Sequence, residues 1–145
     1  MSTARIDFLV ATAEGLRSVQ FDPDENCVAQ WVDQFHIDPD VDPDAAASSV
    51  EGHLRDSHDE ITDSLVAAFP RVPGTVRDPE LRSTSRPTPG DLDELTASGA
   101  GVFVLSQMVL PDDHPFDPRD HETRDRAVEL HHGIANAIRS VVRHA

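Results

Sequence analysis

Apolar residues in this chain recur mostly three and four positions apart, and five of its eleven prolines stand directly after an aspartate. Residues 4–17 carry Ile6, Leu9, Val10, Ala13 and Leu16 on one helical face, although Phe8, Val19 and Phe21 blur the period. Val28, Trp31, Val32 and Phe35 follow at i, i+3, i+4 and i+7, which predicts a short second helix. A third helix is expected over about 44–69, with Val50, Leu54, Ile61, Leu65 and Ala68 as its buried stripe, His58 between them, and Pro70 as its stop. A fourth is expected from Thr88-Pro89-Gly90-Asp91 to about Leu110, burying Leu92, Leu95 and Val102. Gly99-Ala100-Gly101 weakens that helix, and 102–110 reads alternatively as a buried strand. Helix is preferred because a lone strand has nothing to pair with. The last helix runs to about Arg143, with Ala127, Leu130, Ile134, Ile138, Val141 and Val142 inward.

The prolines mark where helices begin. Aspartate at the cap accepts from free N–H groups, and proline in the first turn has no N–H to leave unsatisfied. Asp22-Pro23-Asp24-Glu25 is expected to open the second helix and Asp117-Pro118-Arg119-Asp120 the last. Asp38, Asp40, Asp42 and Asp44 imitate a calcium loop, but the glycine and closing glutamate are missing, so capping and hydration explain them better. Residues 71–90 hold Arg71, Arg77, Arg82 and Arg86 among four prolines and read as a loop or arm.

These elements imply an all-α fold: a single domain over 1–145, a bundle of four to five helices with a long Pro/Arg-rich loop at 71–90. Residues 1–35 would be a helical extension.

Composition changes the picture of where the chain works. All 12 basic residues are arginine, against 27 acids of which 19 are aspartate, for a net charge of −15. Such self-repulsion opposes compaction in dilute buffer. It is largely removed at about 1 M salt, where the Debye length is about 3 Å. A cytoplasm with molar salt fits, as does a GC-rich genome that replaces lysine by arginine. The acidity argues against general nucleic-acid binding. No apolar run is long enough to span a membrane, and residues 1–20 lack a secretory pattern. Cys27 is alone, so it forms no intrachain disulfide.

Candidate chemistry is sparse. His53 and His58 are five apart and do not share a helix face. His121 and His132 share a face but sit about three turns, roughly 16 Å, apart. Only one of His131 and His132 can join a site. A site pairing His58 with His121 or His132 can be drawn, but no spacing demands it; solvated or partly buried structural histidines are the better reading, and no metal site is expected. No nucleophile elbow or phosphate-binding loop occurs. No enzyme and no cofactor are expected. The arginines of the 71–90 loop, with Arg139, Arg143 and His144 at the end of the last helix, are the candidate partner contacts, since the guanidinium fork pairs well with carboxylates.

Val50, Leu54, Ser57, Glu60, Ile61 and Leu65 in one helix, a proline-containing loop over 69–73, and Arg126, Ala127, Leu130, Gly133 and Ile134 in the last helix form one pattern. The stretch from Asp40 to Val142 resembles the head–tail connector (adaptor) proteins of tailed viruses. The resemblance implies a virion structural protein, assembled in the host cytoplasm. It would form a ring, commonly of twelve copies, between the portal protein and the next neck or tail protein. DNA would pass through without specific binding. Two alternatives stay open: a small metal-dependent enzyme using the His/Asp cluster, and a helical protein-binding regulator.

Overall fold

A computed structural model describes residues 4–22, 24, 26–78, 92, 94, 96 and 101–144. In chain order the elements are β1 (Arg5–Thr12), β2 (Gly15–Val19), β3 (Cys27–Phe35), α1 (Pro43–Ala68), β4 (Val102–Val109) and α2 (His121–Arg143). The expected all-α bundle is therefore replaced by a mixed α/β fold. The strands form one antiparallel sheet in the order β2-β1-β4-β3. Residues 1–35, expected as a helical extension, supply three of these four strands.

The centre of the sheet explains the correction. Every residue of β4 is buried, so the strand reads as a continuous apolar run with no alternation. It pairs with β1 from Arg5↔Val109 to Ala11↔Phe103, and with β3 through Trp31↔Ser106 to Phe35↔Val102. A bulge lies between Cys27 and Ala29 of β3. It brings Val28 into the main core, so Val28, Trp31 and Phe35 all pack there despite their mixed spacing. Helical spacing and bulged-strand spacing coincide over those residues. Gly101 adopts φ +120°, and a Cβ there would sit 2.5 Å from the Phe35 carbonyl oxygen. Only glycine lets β4 begin so close to the end of β3.

Both long helices were expected and are present. Asp42 caps α1 by accepting from the Asp44 N–H, with Pro43 in the first turn. Asp120 caps α2 by accepting from the N–H and hydroxyl of Thr123. Asp117-Pro118 forms the turn before that cap rather than the cap itself. The helices cover one face of the sheet. Ile6, Phe8 and Val10 of β1 and Val102, Val104 and Met108 of β4 pack with Val50, Leu54 and Leu65 of α1 and Ile134 and Ile138 of α2. On the opposite face, Leu9, Ala11, Phe103 and Leu105 form a second apolar cluster with Leu92.

A polar group closes the end of that second face. Asp7 is fully buried opposite Gln107 of β4. Arg5 Nε donates to Asp7 Oδ2 at 2.8 Å, and Gln107 Nε2 lies 3.1 Å from Oδ1. Arg5 and Gln107 both also donate to the Asp22 carbonyl, which ties the segment after β2 to the sheet. Burial pushes the Asp7 carboxyl above its ordinary value, outweighing the opposite pull of Arg5 and Gln107. A carboxyl with a raised folded-state pKa opposes folding when ionised. Its penalty fades as pH falls through that raised pKa, until the unfolded carboxyl protonates too. Urea unfolding in molar KCl should therefore show the native chain gaining stability relative to Asp7→Asn as pH is lowered from neutral into the acid range. A difference that is flat or shrinks with falling pH would contradict this balance.

Candidate functional site

Polar side chains expected to face outward are largely engaged within the molecule. Arg77, placed by sequence in a partner-contact arm, is 4% exposed. Its guanidinium donates to the carbonyls of Leu110 at 2.7 Å, His114 at 2.8 Å and Pro111 at 3.2 Å. It thereby holds the turn that follows β4. Arg71 pairs with Asp113 of the same turn. Arg82 and Arg86 lie outside the described residues. Arg139 donates to Asn136 and lies over the Phe35 ring, and His144 Nδ1 lies 2.7 Å from the Ser140 carbonyl. Arg143 is exposed in the last turn of α2.

The candidate metal histidines are not brought together. His58 lies about 100° round the helix from Ser57. That is the flank from which Glu51 reaches Arg17 and Arg55 reaches the Ser18 carbonyl of β2. His121 and His132 are exposed on α2, which packs along the other flank of α1. Among the described residues no three His, Cys, Asp or Glu side chains are grouped to hold a metal ion.

The histidine that matters most structurally is His131, eight per cent exposed on the inner face of α2. Its ring stacks on Trp31 of β3 with centroids 4.5 Å apart and planes 10° apart. Its Nε2 lies 2.6 Å from Asp33 Oδ2. The arrangement clamps α2 to the edge strand through two residues, i and i+2, on the same face of β3. A sequence signal existed: His131 falls four residues after Ala127 and three before Ile134, on the apolar stripe, where a polar ring needs a partner. A similar role falls to His114, whose Nδ1 lies 2.8 Å from the Phe69 carbonyl.

Open concave surface remains between the helices. Arg126, near the start of α2, donates to the Ala68 carbonyl at the end of α1 and covers the Phe69 ring. Arg139, near the other end of α2, lies over Phe35 at the end of β3. The helices therefore run antiparallel, and a groove of about 320 Å³ lies between them. Its floor is Ile61, Leu130 and Ile134. Ser57, Ser64, Gly133 and Ala137 keep it open, and Glu60 and Glu129 stand on its sides. Sequence reading missed this groove because the small residues lie beside each buried stripe and gain meaning only when the helices are set side by side.

Comparison with protein-family models, with characterised proteins and with solved structures finds no match for this chain. The groove and the internal clamps are therefore read on their own chemistry.

Arg77 provides the sharpest test of the reassigned arginines. Arg77→Ala removes the donor shared by the Leu110, Pro111 and His114 carbonyls, of which Pro111 keeps the His114 N–H, and should destabilise the fold by roughly 2–3 kcal/mol. Arg77→Lys should recover little, because a point charge cannot span three acceptors as a planar fork does. Denaturant unfolding of both variants measures this, and a loss under about 0.5 kcal/mol, the surface-substitution range, would contradict the buried role.

Proposed function

We propose that the chain is a non-enzymatic assembly component that binds another protein through the groove between α1 and α2. The observation that carries this reading is the contrast between engaged and open surface. His131, His114, Arg77, Arg5 and Asp7 are committed to internal partners. The α1–α2 groove combines an apolar floor with open space at Gly133, where an added Cβ would meet nothing within 4 Å. Ligand-sized concavities with apolar linings are where proteins bind other molecules, and a channel between two helices suits an element laid along it.

The narrower connector role rests on the resemblance alone. Its two matched helices are present as α1 and α2, while residues 102–109 of the interval between them are the central strand of the sheet. The assembly role stands on the groove.

A photoreactive benzophenone side chain at Ser57, in the groove, tests the reading in the native host. It should give a discrete adduct that Gly133→Trp abolishes. The same group at exposed Glu14, on the turn between β1 and β2, should not give that adduct. Equal labelling at both positions, or none at Ser57, would overturn the proposal.

A further inference from the structure

We infer that the occupant of the α1–α2 groove is a basic amphipathic helix of another protein, bound with its apolar stripe on Ile61, Leu130 and Ile134 and its arginines or lysines against Glu60 and Glu129. This rests on the docking role proposed above and names the partner's chemistry.

Shape comes first. The lining on α1 runs from His53 to Ser64. Eleven steps of about 1.5 Å make a channel roughly 17 Å long, about three helical turns. An extended peptide would cross such a groove between two helices without a strand edge to pair with. A helix satisfies its own backbone and presents only side chains, so it suits a floor made of side chains. Ser57 and Ser64 on one wall and Gly133 and Ala137 on the other let its backbone come close.

Charge then selects the sign. Glu60 and Glu129 are exposed, on opposite walls, and neither enters an ion pair among the described residues. Asp56 and Asp63 are further exposed carboxylates on the solvent side of α1. The arginines nearest in sequence are directed elsewhere: Arg55 to Glu51 and the Ser18 carbonyl, and Arg126 to the Ala68 carbonyl. The groove is thus apolar at the bottom and acidic at the rim. A second copy placed face to face would set acid against acid and bury both without compensation. A helix with arginine or lysine flanking a leucine stripe meets both features. It also explains how binding survives in molar salt: screening removes much of the charge attraction, while apolar burial remains.

The test uses the full chain and a fluorescent peptide of about eighteen residues, long enough to form a helix on binding. It has leucines at i, i+3, i+4 and i+7 spacing and arginines on the rest. A control keeps the leucines and replaces arginine by glutamate. Anisotropy titrations run in about 0.3 M and about 3 M KCl, so that charge selection is read at the lower salt and apolar burial at the higher. The arginine peptide should bind saturably at one per chain, and at the lower salt the glutamate peptide should bind at least tenfold more weakly. Gly133→Trp, which fills open space on an exposed helix position, should weaken binding at least tenfold while leaving circular dichroism unchanged. Glu60→Gln with Glu129→Gln keeps the shape and should weaken the arginine peptide by about three- to tenfold, as two exposed ion pairs would. The inference is overturned if both peptides bind equally at the lower salt, if Gly133→Trp leaves binding intact, or if Gly133→Trp instead abolishes self-association of the native chain. A silent peptide beside a persistent Ser57 photo-adduct would reject the basic helix and leave the docking role standing. Silence in both would remove both.

Discussion

Pairing of β4 on both edges is the constraint on which the rest of the molecule depends. The strand lies between β1 and β3, so residues from the start of the chain are joined to residues near 105 and back to residues near 30. Its even-numbered side chains Val102, Val104 and Met108 face the helices, and its odd-numbered Phe103 and Leu105 face the second cluster. Both apolar clusters therefore share one strand. A change that tilts β4 moves both at once. Gly101 fixes where the strand starts, and the Arg77 fork fixes the turn after it ends. Such long-range pairing has a loop-closure cost that local helices avoid.

Arginine is used here for geometry more than for net charge. Arg5 spans Asp7, Asp24 and the Asp22 carbonyl. Arg17 spans Asp44 and Glu51 and so ties β2 to the first turns of α1. Arg77 gathers three carbonyls, and Arg126 joins the two helix ends. Each is a fork reaching more than one acceptor, which an ammonium does less well. With 12 arginines against 27 acids, this internal use leaves an acidic exterior. The exterior repels itself until salt screens it. The same balance gives the groove its acidic sides. Stability and the charge proposed for the partner thus follow from one charge distribution.

The helices were legible because their stripes are long and their aspartate caps are explicit. Val50, Leu54, Ile61 and Leu65 are buried as their spacing requires, and so are Ala127, Ile134 and Ile138. The strands were not legible, for three separate physical reasons. β1 is buried on both faces, so it does not alternate. β3 carries a bulge that shifts its apolar positions toward helical spacing. β4 carries a buried-strand pattern, but with β1 and β3 spaced like helices the sequence displays no partner for it. In the site, the arginines at 71 and 77 were noticed by composition, but their targets are backbone and side-chain groups of the turn after β4 that only the fold brings near. His131 was passed over beside His132, although its place on the apolar stripe demanded a partner. The groove depends on the antiparallel setting of two helices separated by a strand, which no local pattern encodes.

The most direct test of this account is nuclear magnetic resonance of residues 102–109 in molar KCl. Extended-strand Cα and Cβ shifts are expected, with cross-strand contacts from Leu105 to Leu9 on one side and to Val32 on the other. Helical shifts with sequential amide contacts through 102–109 would contradict the sheet, both clusters, and the placement of the helices that forms the groove.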